Sequence, residues 1–173
     1  KIIYIEGYLF DQSDAKKAIY HCCKLAKANN CRIALSLSDS FCVDRHREEL
    51  CDLINKYVDI IFANETEIES LYQSNLQESL KKIREVVEIG AITLGSKGSI
   101  VFQNQVKNLV PAIIVNDPVD TTGAGDIFAS GFLFGLINKY SIEDCGKLGS
   151  KVASDIIKYI GARPKISFKT FLN

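Results

Sequence analysis

The chain has 173 residues, 47% of them hydrophobic, which suits one globular domain with an apolar core and no need of disulfide or metal staples. Lys plus Arg and Asp plus Glu number 21 each, so the charge balance gives no ground for a nucleic-acid or membrane-surface partner, and a small neutral or anionic ligand is expected. Cys22 and Cys23 are adjacent, while Cys31, Cys42, Cys51, Cys145, His21 and His46 form no set at metal-ligand spacing. Reduced thiols in a cytoplasmic protein are the plain expectation. No apolar run approaches the roughly 20 residues that span a bilayer, and no secretory signal opens the chain.

Ile2 to Ile5 is a near-continuous apolar run, as expected of a strand covered on both faces, and Glu6-Gly7-Tyr8 turns the chain out of it. A helix is predicted from Ser13, with Ala15, Ala18, Ile19, Cys22 and Ala26 at helical spacing and Asn29-Asn30 as its end. Arg32 to Leu37 reads as the next strand, with Ser36, Ser38, Asp39 and Ser40 at its carboxyl end. Leu50, Leu53, Ile54 and Tyr57 line one face of the helix after it. Val58 to Ala63 reads as a third strand. Asn64-Glu65-Thr66-Glu67 opens the following helix as a capping box, in which Asn64 and Glu67 satisfy each other's end of the first turn. Leu76, Leu80, Ile83 and Val87 give a further helical stripe before a fourth strand, Ala91 to Leu94.

Thr93-Leu94-Gly95-Ser96-Lys97-Gly98 closes that strand. The alternation of strands and helices is the pattern of a mostly parallel sheet with helices on both faces, in which ligands sit beyond the carboxyl ends of the strands. The polar clusters Ser38–Ser40, Asn64–Glu67 and Thr93–Gly98 all fall there. Ile100–Phe102 and Val106–Val110, joined by Asn104-Gln105, predict an antiparallel edge hairpin, and Ala112 to Val115 predicts one more strand. From Gly125 to about Lys139 a helix apolar nearly all round is expected to be central. Cys145, Leu148, Val152, Ala153 and Ile156 stripe the last helix, with Gly149 and Ala153 allowing close packing and Gly161 as its C-cap.

The chemistry concentrates at Asp120-Thr121-Thr122-Gly123-Ala124-Gly125-Asp126. Two glycines around one small residue, followed at once by an apolar helix, make a loop whose N–H groups lack helical partners where the macrodipole is positive. An anion such as phosphate can rest there. Asp126 is either a first-turn carboxylate suited to the dipole or a base that takes a proton from a hydroxyl attacking phosphorus.

This run resembles the signature of the PfkB family of carbohydrate and nucleoside kinases. The resemblance implies a three-layer α/β ribokinase-like fold, with Asp126 as catalytic base and the Gly123, Ala124 and Gly125 amides as an anion hole. Asn64 and Glu67 resemble the family's Asn-x-x-Glu element, whose glutamate helps hold Mg2+ through water. Thr93, Gly95 and Gly98 resemble its Thr-x-Gly-x-x-Gly element beside the nucleotide, and Ser96 goes with them. Gly161-Ala162 resembles a turn that, with Asp120 and Thr122, binds a monovalent cation such as K+ in several members. Ser150-Lys151-Val152-Ala153 stands where an Asn-Ala-rich run is frequent in the family, and the resemblance implies Ser150 and Thr122 as nucleotide contacts, Thr122 in addition to its place at the cation turn. Glu6-Gly7-Tyr8-Leu9 and Ser38 to Val43 resemble the bacterial branch similar to adenosine kinase.

The resemblance further implies that residues 1–173 are the C-terminal portion of a single kinase domain, with the N-terminal part missing. The expected function is transfer of the γ-phosphate of ATP to a hydroxyl of a sugar or nucleoside. The alternative is a module that binds nucleotide without turnover, which is the expectation for these residues alone. No Gly-x-x-x-x-Gly-Lys-Ser/Thr phosphate loop is present, and no Gly-x-Gly-x-x-Gly follows the first strand, so a dinucleotide-dependent oxidoreductase is disfavoured.

Overall fold

The computed structural model describes residues 1–165, 167 and 170. Six strands lie side by side in chain order: β1 (Ile2–Glu6), β2 (Arg32–Ser36), β3 (Ile60–Asn64), β4 (Ile89–Thr93), β5 (Ser99–Gln103) and β6 (Val106–Val110). β1, β2 and β3 are parallel, with Glu6 opposite Ser36 and Ser36 opposite Phe62, so the polar ends of these strands share one edge. The sheet is mostly parallel with antiparallel strands at the β6 edge, as the pattern of apolar runs predicts.

The chain divides into two compact units, the first Lys1–Ile92 with Phe102–Val106, the second Thr93–Val101 with Lys107–Asn173. In the first unit, helices α1 (Ser13–Ala28), α2 (Ser40–Tyr57), α3 (Glu65–Tyr72) and α4 (Leu76–Val86) accompany the parallel strands. Ile33, Leu35, Ile60 and Ile61 are fully buried, as expected where both faces of a sheet are covered, and so are Leu50, Leu53 and Ile68 of the helices. The stretch from Asn64 to Val86 forms two helices, because Gln73 takes a left-handed conformation (φ 48) that ends α3. Gly7–Asp11, read from sequence only as a turn, is a short 3-10 helix. Gly7 sits so close to β2 that a Cβ there would lie 2.7 Å from the Leu37 carbonyl oxygen.

In the second unit, α5 (Ala124–Ile137) and α6 (Ile142–Ile156) pack on each other nearly backbone to backbone. A Cβ on Gly131 would lie 2.6 Å from Val152 and one on Gly149 2.9 Å from the Phe128 carbonyl oxygen, so this seam admits only glycine.

Three expectations are corrected here. Ala112 to Val115 forms no strand, although Ile113, Ile114 and Val115 are β-branched. Pro111 lacks the N–H a ladder needs and Pro118 ends the run, so the segment follows the sheet without joining it. α5 is not buried all round: Phe128, Ala129 and Phe132 are buried, but Phe134 and Ile137 are exposed. Gly161 does not cap α6, which ends at Ile156, although its φ of +97 is one that favours glycine.

Candidate functional site

The loop before α5 is closed by Asp120. One carboxylate oxygen accepts the Thr122 N–H at 2.9 Å and the other accepts the Gly161 N–H at 2.9 Å, so two stretches far apart in sequence are tied by one side chain. The Gly161 N–H, the Thr122 hydroxyl and the Thr122 N–H together hold the Asp120 carboxyl below the usual carboxylate range. Gly123 follows as N-cap of α5 in a left-handed conformation (φ 76), where a Cβ would lie 2.7 Å from the Ala162 Cβ. The Ala124 N–H is already given to the Thr121 carbonyl at 3.1 Å. Gly125 and Asp126, in the first turn, have no such backbone acceptor among the described residues, as expected at a helix start. Nothing lies within 4 Å of the place a Gly125 Cβ would occupy, and Asp126 is exposed. The cradle is therefore open, and its carboxylate faces solvent.

A cavity of about 360 Å³ reaches this cradle at Thr121, Ala124 and Gly125. Thr93, Gly95, Ser96, Gly98 and Ser150, all expected at a nucleotide, line it. Gly95 and Gly98 both have positive φ, and a Cβ on Gly98 would lie 2.0 Å from the Val110 carbonyl oxygen. The turn they form is closed by the Leu94 N–H donating to the Gly98 carbonyl at 2.8 Å. Sequence reasoning missed most of the remaining lining, above all Ile113, Ile114, Val115, Phe128 and Ile157. The signal is the apolar Ile113-Ile114-Val115 run, whose composition predicts a strand instead.

Asn64 and Glu67 belong to the first unit, and the capping box is complete there. Asn64 Oδ1 accepts the Glu67 N–H at 2.9 Å, and Glu67 accepts the Asn64 N–H at 2.9 Å and its side-chain amide at 2.6 Å. Glu67 is almost fully buried. Burial pushes its carboxyl up to about 7; the Asn64 backbone bond opposes this, and Asp39 and Glu6 add to it. Among the described residues no group of three His, Cys, Asp or Glu side chains could hold a metal by itself.

The Glu67 shift has a measurable consequence. A carboxyl whose folded pKa is raised favours the fold while protonated, so its contribution is full below 4.5 and is lost as pH rises through about 7. Glu67→Gln keeps a side chain able to cap at this position. It is expected to flatten the decline in Tm between about pH 5 and pH 8, followed by thermal melts of both proteins. Parallel Tm profiles would show that Glu67 is not the titrating group.

The two remaining polar stretches of the first unit also meet. The Tyr8 N–H donates to Ser38 Oγ at 3.3 Å, and Ser38 Oγ donates to Glu6 at 2.9 Å, with Ser38 held at φ 71. Asp39 caps α2 through the Cys42 N–H at 2.7 Å, and its bond to the Tyr8 hydroxyl pushes that phenol up to about 12. No helix of the described residues is long and apolar enough to cross a membrane.

The family model for pfkB family carbohydrate kinases matches residues 1–168. A probable sugar kinase protein from Rhizobium etli is similar over 99% of this chain and 52% of its own, with 44% identity and a TM-score of 0.95. An adenosine kinase from Sinorhizobium meliloti is similar over 99% of this chain and 53% of its own, with 41% identity and a TM-score of 0.96. Among curated relatives, the adenosine kinase of Dictyostelium discoideum is 30% identical over 97% of this chain and 54% of its own length. The chain spans about half the length of the curated relatives it matches, 44% and 47% in two further cases. With its parallel sheet, its glycine-lined loop and these matches, the chain belongs to the pfkB family of carbohydrate kinases.

Proposed function

We propose that the protein to which these residues belong transfers the γ-phosphoryl group of ATP to a hydroxyl of a sugar or nucleoside. The observation that carries this is the open Gly123–Gly125 cradle at the start of α5, with the Asp126 carboxylate exposed one residue on and a cavity of about 360 Å³ reaching it. In this reading the cavity holds the nucleotide, with the Thr93–Gly98 turn and Ser150 among its contacts. The unspent N–H groups of the first turn of α5 bind the charge that develops on the transferred phosphoryl. Asp126 accepts the proton of the attacking hydroxyl. Magnesium bound to the nucleotide would neutralise phosphate charge, and Glu67 would hold its water shell. For a monovalent cation the fit is partial. Asp120, Thr122 and Gly161 are brought together, but both Asp120 oxygens already accept N–H bonds, and no step is assigned to the ion.

The lean to a nucleoside over a simple sugar rests on the likeness to adenosine kinases and on the meeting of Glu6–Leu9 with Ser38–Val43. For residues 1–173 alone we expect nucleotide binding without turnover. Calorimetry with ATP and magnesium, paired with a turnover screen of nucleosides and sugars on the complete protein, tests the reading. Gly125→Val puts a branched side chain into the open cradle, where its Cβ has no neighbour within 4 Å, so it should abolish ATP binding while Tm is kept. Unaltered binding by this variant would remove the nucleotide from the cradle and end the proposal.

A further inference from the structure

We propose that Arg163 binds the terminal phosphate of the nucleotide, its guanidinium bringing to the Gly123–Gly125 cradle the full positive charge that the loop itself lacks. This rests on the nucleotide reading above and adds one side chain to that same site. From Asp120 to Asp126 the loop carries two carboxylates and no basic residue. The N–H groups at the start of α5 supply about half an elementary charge between them, and Asp120 and Asp126 flank them with two full negative ones. A polyphosphate settling there is repelled unless a cation stands close by, beyond the one it brings with it.

The turn after α6 places such a cation beside the loop. A Cβ on Gly123 would lie 3.1 Å from the Ala162 Cα, and Arg163 is the next residue, its Cα about 3.8 Å further along the chain. The backbone that carries it is held on both sides. The Gly161 N–H donates to Asp120 at 2.9 Å, and Pro164 has a fixed φ and disfavours helical backbone at Arg163. The other described basic side chains beyond α6 are engaged: Lys158 pairs with Asp155 at 3.6 Å, and Lys165 lies over the Tyr159 ring, 4.6 Å from its centroid. The Arg163 side chain is exposed and makes no ion pair or hydrogen bond among the described residues, and neither does that of Asp126. The two charges are therefore not spent on each other, which leaves the carboxylate for a hydroxyl proton and the guanidinium for phosphate. The methylene stem of an arginine is long enough to carry its head over a neighbouring loop, and the planar fork of N–H donors matches phosphate oxygens two at a time.

The test is calorimetric titration of the complete protein and of Arg163→Met with ATP and with ADP as magnesium complexes, alongside thermal melts of both. Methionine keeps much of the stem and removes the charge. The expected result is that the variant binds ATP about 10–100-fold more weakly, as loss of charge-assisted hydrogen bonds would give, while its affinity for ADP and its Tm stay as they were. Unchanged affinity for ATP, an equal loss for ATP and ADP, or a lowered Tm would overturn the inference and leave the nucleotide reading standing. Failure of the unaltered protein to bind ATP would overturn both.

Discussion

Asp126→Asn in the complete protein is expected to lower kcat by about 10²–10⁴-fold, the usual contribution of a positioned general base, while the dissociation constant for ATP changes little. The substitution keeps the shape of the side chain and removes its capacity to take a proton. Because Asp126 is exposed in the first turn of α5, it carries no core packing, and the folded protein should be retained. The only structural cost is loss of a negative charge near the helix N-terminus, about 0.3–1 kcal/mol. Single-turnover kinetics alongside nucleotide titration separate the two roles that sequence alone left open. If Asp126→Asn keeps most of its turnover, the carboxylate is a first-turn residue matched to the helix dipole and another group takes the proton.

The second large effect is expected at Gly123→Ala. A non-glycine residue held at φ 76 costs about 1–2 kcal/mol on conformational grounds. The added methyl would also lie 2.7 Å from the Ala162 Cβ, which has no flexible end to move aside. Relief requires the 161–165 turn to shift, and that turn is held to the cradle by Asp120 through the Gly161 N–H. Gly123→Ala should therefore weaken ATP binding and destabilise the second unit by a few kcal/mol, read as a lower denaturant midpoint. Asp120→Asn should do part of the same damage. Because both act on one tie, the double variant should fall short of the sum of the singles, and strict additivity would show that the Asp120 bond and the Gly123 contact are independent.

Much of the fold was legible because apolar periodicity reports burial directly. The parallel strands near Ile33–Leu35 and Ile60–Ala63 are buried on both faces and read as unbroken apolar runs. The capping box at Asn64 and Glu67 was legible because its chemistry is local: two side chains three residues apart answer each other's backbone. What could not be read depends on tertiary context. Ile113-Ile114-Val115 has strand composition, but two prolines bracket it and among the described residues no neighbouring strand pairs with it. Phe134 and Ile137 are as apolar as Phe128 and Phe132, and nothing in their spacing says which side of α5 is covered. For the candidate site, the glycine loop and the Thr93–Gly98 turn were visible as motifs. The apolar walls were not, since Phe128 and Ile157 look like ordinary core positions until a cavity is found beside them.

The glycine seam between α5 and α6 bears on how this protein could change. Two helices in such close apposition cannot slide or splay without opening a void, so they are expected to respond to load as one beam. The Gly123–Gly125 turn is the free end of that beam, so its orientation follows from contacts made at Gly131 and Gly149, well behind it along the helices. Directed evolution toward new donors or acceptors should accordingly leave the seam unaltered and accumulate its changes in the hydroxyl-bearing and aliphatic positions around the cavity.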